Sequence, residues 1–488
     1  MKFSFVSPSP APEIVGKIEA PWPPLGVLYC AGVLMNGGVE VSVLDQGAKG
    51  HTPQQILRWV KKENPDILGF SVLVTSFSEA LNLARQAKEE NPNLITVFGN
   101  YHATFNAERI LRKYPFVDVI VRGEGEHSVL QLANSIQKKE RLKDILGLTL
   151  RNSGRVMSTP DAPLIGNIDT LPIPNRDLLG AEYASEIFGI KVATRRFTSI
   201  ISSRGCPFRC SFCGCRKFAR GVWRPRTVES LMEEFRLLYS QGYRQFLFVD
   251  DNFTLNLRRV VKLCRQLKKE KLDIEWYCDS RVDNCNYDTF REMVKAGCRL
   301  LYFGVESANQ RILNYFNKGI TPDQTRRAVN SARRAGMDII VGSFIVGAPD
   351  ETRQEIQNTL RFAYELDIDI PQLNILNAFP GTDSWNDLVD KGFINEEKYW
   401  EKGVYVSQIS PHAVPFEEIR QLMYEYFTTF YLRPKKLSSE ILRTFKSPYR
   451  MTALVNNLMR VREIYGTVKR EVSLKQPPPQ TKAKMEPI

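Results

Sequence analysis

Strand-like and helix-like stretches alternate through this chain in two separate series, and that alternation confines it to an α/β architecture. In the first 150 residues, short apolar runs at 2–7, 39–44, 67–72, 94–98, 117–121 and 146–150 are separated by helical patterns at 25–35, 53–62, 77–89 and 127–138. Gly37-Gly38 stops the first helix. Parallel strands need crossover helices, so the pattern predicts a doubly wound, Rossmann-like sheet over residues 1–150. The second series places strands at 197–202, 245–250, 275–280, 300–305, 338–345 and 372–378. Helices fall between and after them at 227–241, 257–270, 287–296, 309–314, 321–335 and 353–366. Six such pairs predict a partial (β/α)6, TIM-like barrel over 196–385, with ligands at the carboxyl ends of its strands.

The remaining segments follow by composition. Pro163, Pro172 and Pro174 interrupt residues 151–195, yet Ile168, Leu171 and Ile173 need somewhere to pack, which predicts an ordered linker. Residues 386–474 read as a C-terminal helical region, with 416–430 its clearest helix, and the Pro, Lys and Gln-rich residues 475–488 read as disordered. The loop from Pro8 to Pro24, with Trp22, is too long for an idle connection.

Directly after the first strand of the second series stands Cys206-Pro207-Phe208-Arg209-Cys210-Ser211-Phe212-Cys213, a C-x3-C-x2-C loop. Three thiolates on one short loop can hold three irons of a cubane and leave the fourth open to a small molecule. Two other readings compete: a C-x-x-C redox dithiol, and a zinc site made with Cys215. Zinc sites usually pair two separated knuckles, whereas these four cysteines crowd into ten residues.

Of 488 residues, 43% are hydrophobic and 25% charged, ordinary values for a globular protein. Nine cysteines and a start without an apolar leader point to a reducing, cytosolic setting, and no run reaches the about 18 apolar residues of a membrane span. The formal charge is +13, and residues 431–488 carry 13 Lys and Arg against 4 Asp and Glu. Apolar residues are interleaved with that charge at 441–446 and 454–461, which suits a basic amphipathic helix at a lipid surface and predicts peripheral membrane contact. A nucleic-acid module would need a second knuckle and a basic face with exposed aromatics, and neither is visible.

The cysteine loop and the segments that follow resemble the radical SAM superfamily, whose three cysteines bind a [4Fe-4S] cluster that chelates S-adenosylmethionine (SAM). The resemblance implies that Cys206, Cys210 and Cys213 ligate the cluster and that Phe212 lies beside adenine. It places Asp250 and Asp251, in Asp250-Asp251-Asn252, at the methionine amino group. Glu306 and Ser307, in Gly304-Val305-Glu306-Ser307, would approach ribose and methionine; the alternative for Glu306 is a buried pair with Arg281. Gly342 and Gly347, in the segment 342–349, would allow close approach of adenine or ribose, and Phe379-Pro380-Gly381-Thr382 matches a recurrent loop. Cys215 falls outside the pattern and reads as structural.

A doubly wound domain ahead of such a barrel resembles the cobalamin-binding class. Where relatives carry D-x-H-x-x-G, S-x-L and G-G, this chain has Asp45 to Gly50, Ser71-Val72-Leu73 and Gly99-Asn100. The histidine position is Gly47, so cobalamin is expected with its base displaced and no histidine beneath cobalt. Gly123 and Glu124, in 121–126, are expected beside the corrin, with a helix-capping turn as the alternative. The resemblance implies SAM cleavage to a 5′-deoxyadenosyl radical, an external electron donor such as ferredoxin or flavodoxin, and functionalisation of an unactivated carbon. C-methylation of a hydrophobic substrate is the leading expectation, and ring formation on a membrane lipid or tetrapyrrole the alternative.

Overall fold

The computed structural model describes residues 1–10, 22–152, 154–187, 190–402 and 413–458. Its first sheet contains β1 (Lys2–Ser7), β2 (Glu40–Asp45), β3 (Ile67–Ser71), β4 (Ile95–Gly99), β5 (Val119–Val121), β6 (Leu148–Asn152) and β7 (Arg155–Ser158). Their spatial order is β2-β1-β3-β4-β5-β6-β7. The first five are parallel, as the alternation predicts, and the chain order reverses between β1 and β3, which opens a ligand crevice at the carboxyl edge there. The far edge departs from that expectation, because β6 and β7 form an antiparallel hairpin that carries the sheet to Ser158. Strand, helix, strand reads alike for either direction. Arg122 fixes the observed one by donating to Leu148 O, Thr149 Oγ1 and Thr159 O.

The second sheet has six parallel strands in chain order, Phe197–Ile200, Gln245–Phe248, Glu275–Arg281, Cys298–Glu306, Ile339–Val346 and Ile370–Ile375, called barrel strands one to six below. Helices Val228–Ser240, Leu257–Lys269, Tyr287–Lys295, Gln310–Tyr315, Pro322–Arg334 and Arg353–Glu365 fall where the sequence puts them. Five begin at Thr or Asn residues whose side chains cap the first turn, and Thr321 and Thr352 close full capping boxes. Period-2 alternation sends Phe246, Phe248, Trp276, Cys278, Leu301 and Phe303 outward into a core with these helices. Phe197, Tyr277, Leu300 and Val341 join a second core, which also takes in Phe3, Leu28 and the linker residues Ile165, Ile168 and Leu179. The linker is therefore ordered, wedged between the sheets. At the amino end of the barrel, Tyr277 and Tyr449 both donate to Val192 O, at 2.8 and 2.9 Å, and close the lumen.

Helix Phe416–Phe430 spans the residues its pattern predicts and buries Ile419, Leu422, Tyr426 and Phe430. Helices Pro434–Lys446 and Pro448–Leu458 follow it at the amino end of the barrel. No helix among the described residues is long and apolar enough to cross a membrane. Most of the Pro8 to Pro24 loop, and the tail expected to be disordered, lie outside the described residues.

Candidate active site

Ser203–Arg204 pairs antiparallel with Arg224–Pro225, and the cysteine loop hangs between them at the carboxyl end of the barrel. Gly205 must be glycine: its φ is +86°, and a Cβ there would lie 2.1 Å from Val222 O. The loop is tied down by Gly205 N to Asp251 Oδ2 (2.7 Å), Ser211 N to Phe316 O (2.9 Å) and Ser384 N to Ser211 O (2.9 Å). Cys206 and Cys210 are half-buried and Cys213 is exposed, all as free thiols. Among the described residues, no three His, Cys, Asp or Glu side chains converge where a single ion could sit.

The surroundings of the thiols suit an anionic cluster. Arg281 places Nη1 3.8 Å from Cys210 Sγ, lies over the Phe208 ring at 3.6 Å, and is held by Asp283 and Lys318 O. Burial raises the Cys210 thiol while Lys318 and Arg281 oppose that rise, and burial pushes Cys206 up to about 11. Cys213 is lowered to about 7, chiefly by a hydrogen bond from Cys215, whose own thiol is raised by the same contact. Cys215 thus braces the loop from behind.

The strand ends sort the expected SAM ligands into two groups. Asp250 and Asp251 follow barrel strand two, and alternation turns them to opposite sides. Asp250 is buried and accepts from Ser202 N, Ser202 Oγ and Ser203 Oγ. These bonds brace the base of the cysteine loop. Asp251 is exposed toward the mouth and bonded to Gly205 N. Next to it, Asn252 is buried, and neither its Nδ2 nor its Oδ1 has a partner.

Glu306 ends barrel strand four beyond a register shift, with φ +65° and 4% exposure. Its partner is Lys318 at 2.6 Å, not Arg281. A Cβ on Gly304 would come within 2.7 Å of both charged ends, so the glycine makes room for the pair. Ser307 turns the other way, to Thr359 Oγ1 (3.1 Å) and Asn309 N, among the helix contacts. Gly342 also faces outward, where a Cβ would press on Ile368 and Phe344 at 3.1 Å, so it serves close packing and not ligand approach. Gly347, φ +81°, turns the chain after barrel strand five, and its amide donates to Glu351 Oε2. Phe212 packs edge-on to Phe316 beneath the loop.

Within the lumen the sequence points to Arg281 but not to Asp279, two residues earlier on the same face. The flanking Cys278 and Ser280 are buried on the helix side, so the exposure of Asp279 is exposure to the lumen. Among the described residues its carboxyl has no hydrogen-bond or ion-pair partner. Burial and the nearby Asp250 and Asp251 raise it to about 7. Half-buried Ile201, Leu247 and Val249 share the space. Opposite lies a polar set in which Tyr302 donates to Gln372 Oε1 (2.8 Å) and Asn374 reaches Ser343 Oγ (3.3 Å).

The first domain brings its own carboxyl edge to this mouth. Asp45 caps the short helix Gln46–Lys49 through Gly47 N and accepts from Tyr183 OH (2.8 Å), and Gly50 ends that helix at φ +60°. No imidazole stands at Gly47. Among the other histidines near this edge, His102 is a core residue, held near 3 by burial and packed on Phe77. Ser71 accepts from Asn100 Nδ2 (3.0 Å), and Gly99 closes β4. Asn100 has φ +78°, the left-handed conformation that explains a glycine in relatives and that asparagine tolerates best among the others. Leu73 stands 46% exposed at this edge, and Gly123 (φ +71°) has open space around it. A bare apolar side chain between open glycine-rich turns fits the flat face of a corrin.

Glu124 does something else. Its carboxylate receives Arg204 (3.1 Å), Arg224 (2.7 Å) and Ile165 N (2.8 Å), so it fastens the cysteine-loop strand and the linker to the first domain. Arg204 also reaches Glu126 (2.6 Å). Tyr101 stacks on Phe218 at 4.2 Å, and Phe105 fills the space that Cβ atoms on Gly214 and Gly381 would take. The turn after β4 therefore rests directly on the cysteine loop. Tyr101, Asp279 and Lys318 lie around this mouth and lumen, and no motif marks them. Alternation is enough to find Asp279, while the others depend on contacts distant in sequence.

Two sheets that meet at their carboxyl edges, one with open glycine-rich turns and the other with an open three-thiol loop, fit a two-cofactor α/β enzyme. Comparison with known proteins gives the family. Residues 200–363 match the radical SAM superfamily model, and residues 13–133 match the B12 binding domain. An uncharacterised methyltransferase of Pyrococcus horikoshii is 37% identical over 444 residues, 90% of this chain and 95% of that protein. The anaerobic magnesium-protoporphyrin IX monomethyl ester cyclase of Rubrivivax gelatinosus is 29% identical over 450 residues, 88% and 78% of the two chains. The cobalamin-dependent SAM radical enzyme OxsB, solved with aqua-cobalamin and SAM, superposes with a TM-score of 0.70 at 18% identity, covering 97% of this chain and 75% of that one. The chain belongs to the cobalamin-dependent radical SAM family of methyltransferases and cyclases, whose cofactors are a [4Fe-4S] cluster, SAM and cobalamin.

Proposed function

We propose that the protein methylates an unactivated carbon of a small molecule that has an apolar body and a polar end. The observation that carries this is the junction itself: Tyr101 and Phe105 seat the edge of the cobalamin-binding domain on the cysteine loop, so both cofactor edges address one space. When bound, the cluster with SAM supplies a radical that removes a hydrogen atom, and cobalamin supplies a methyl group. The chain's residues do the rest. Cys206, Cys210 and Cys213 hold the irons, and Arg281 offsets their charge. Asp251 and Asn252 receive the polar head of SAM, and Glu306, fixed by Lys318, accepts its hydroxyl hydrogens. Leu73, exposed at the carboxyl edge of the first sheet, would help hold cobalamin there. Ile201, Leu247 and Val249 hold the apolar body of the substrate, and Asp279 accepts a hydrogen bond from its polar end. An external reductant such as ferredoxin or flavodoxin supplies electrons.

Anaerobic purification tests the reading. Iron near four per chain, lost in Cys206→Ala, is the expected result, and stoichiometric zinc would overturn it. The cyclase reading is favoured instead if product made with methyl-deuterated SAM lacks the label.

A further inference from the structure

Helix Pro434–Lys446 is built inside out. Three of its charged residues face the protein: Lys436 donates to Ile368 O and to Glu440, Arg443 forks onto Asp367 (2.6 and 2.7 Å), and Glu440 pairs with Arg450. On the opposite face, Leu437, Ile441, Leu442 and Phe445 point to solvent with 52, 48, 59 and 76% exposure. Spacing of i, i+4 and i+8 makes Leu437, Ile441 and Phe445 one row. Leu432 before the helix and Leu454 and Val455 on the next are exposed as well. Such a helix gains nothing from its apolar row in water, and a row this continuous marks a contact surface.

The charge around it selects the partner. Exposed Lys446 lies one turn from Leu442 beside the row, and residues 431–488 carry 13 Lys and Arg against 4 Asp and Glu. A second copy would bring the same positive charge against this face, whereas anionic lipid complements it. We infer that the row Leu437, Ile441, Leu442 and Phe445 docks the protein on an anionic phospholipid surface. The helix contacts Asp367 and Ile368, just ahead of barrel strand six, so docking presents the closed amino end of the barrel to the lipid and turns the cofactor mouth away. The surface therefore anchors the enzyme and does not load its substrate, and it stands independently of the reaction proposed above.

The test is sedimentation of the full chain with vesicles of phosphatidylcholine alone and of phosphatidylcholine mixed with phosphatidylglycerol. Wild type is expected to pellet with the mixed vesicles, weakly with neutral ones, and less at high salt. Leu442→Ser combined with Phe445→Ser is expected to lose roughly tenfold in partitioning per side chain. Unchanged melting temperature and cobalamin binding would show that the variant is folded. The inference is overturned if wild type ignores phosphatidylglycerol vesicles, if the double variant binds them equally, or if wild type is a dimer that the variant makes monomeric.

Discussion

Replacing Asp279 with asparagine keeps the shape of the side chain and removes a charge that the fold does not compensate. In the folded chain the carboxyl sits at about 7 against an ordinary 3.8, raised by burial and by Asp250 and Asp251. A raised acid destabilises the folded state once ionised. The penalty is absent below the unfolded value, accumulates between 3.8 and 7, and is complete above 7. Taken at face value the shift is worth roughly 4 kcal/mol. Asp279 meets water in the lumen, however, so screening reduces it to about 1–2 kcal/mol. Asp279→Asn should therefore be more stable than wild type at pH 8.5 by that amount, with almost none of the gain left at pH 3, below the unfolded value of 3.8. Paired urea or thermal unfolding of the two proteins at both pH values measures it. The variant should also turn over poorly, since a costly carboxylate in the substrate space is retained for its contact with substrate. A variant that is less stable at pH 8.5, or whose advantage is the same at both pH values, would refute the argument.

Three further outcomes follow from the same geometry. Glu124→Gln leaves Arg204 and Arg224 short of their buried carboxylate and should cost about 3–5 kcal/mol, read as a lower unfolding midpoint together with reduced iron retention. Gly304→Ala forces a Cβ into the Glu306–Lys318 pair and should weaken SAM binding by roughly tenfold or more in equilibrium dialysis, while far-ultraviolet dichroism stays unchanged. Asn252→Leu removes an orphaned amide, so the SAM-free protein should be as stable as wild type or more so, by up to about 1 kcal/mol, yet bind SAM at least tenfold more weakly. Equal loss of stability and SAM affinity would make Asn252 a packing residue.

Much of this site is legible in the amino-acid sequence. The alternating runs define the two sheets, and C-x3-C-x2-C after the first barrel strand locates the cluster. Alternation also contains more than motif matching takes from it. Asp251 shares the phase of Leu247 and Val249 and so faces the lumen, whereas Asp250 shares the phase of Phe246 and Phe248 and turns away. The same rule turns Gly342 outward. Other features have no local signal. Ser307 follows a register shift between Gly304 and Glu306 that breaks the alternation. Glu124 finds its arginines 80 and 100 residues later, and Lys318 meets Glu306 across a helix. The antiparallel β6–β7 edge is hidden because a helix between two strands does not show which way the second one runs.

The most direct test needs no substrate. Reduced, cobalamin-loaded enzyme is mixed with SAM carrying a deuterated methyl group, and the cobalamin fraction and S-adenosylhomocysteine are quantified by mass spectrometry. Methyl transfer predicts the three-deuterium label in the cobalamin fraction with a matching yield of S-adenosylhomocysteine, both persisting in Asp279→Asn. Unlabelled cobalamin without S-adenosylhomocysteine, from protein that still cleaves SAM to 5′-deoxyadenosine, would contradict methylation and leave ring-forming chemistry.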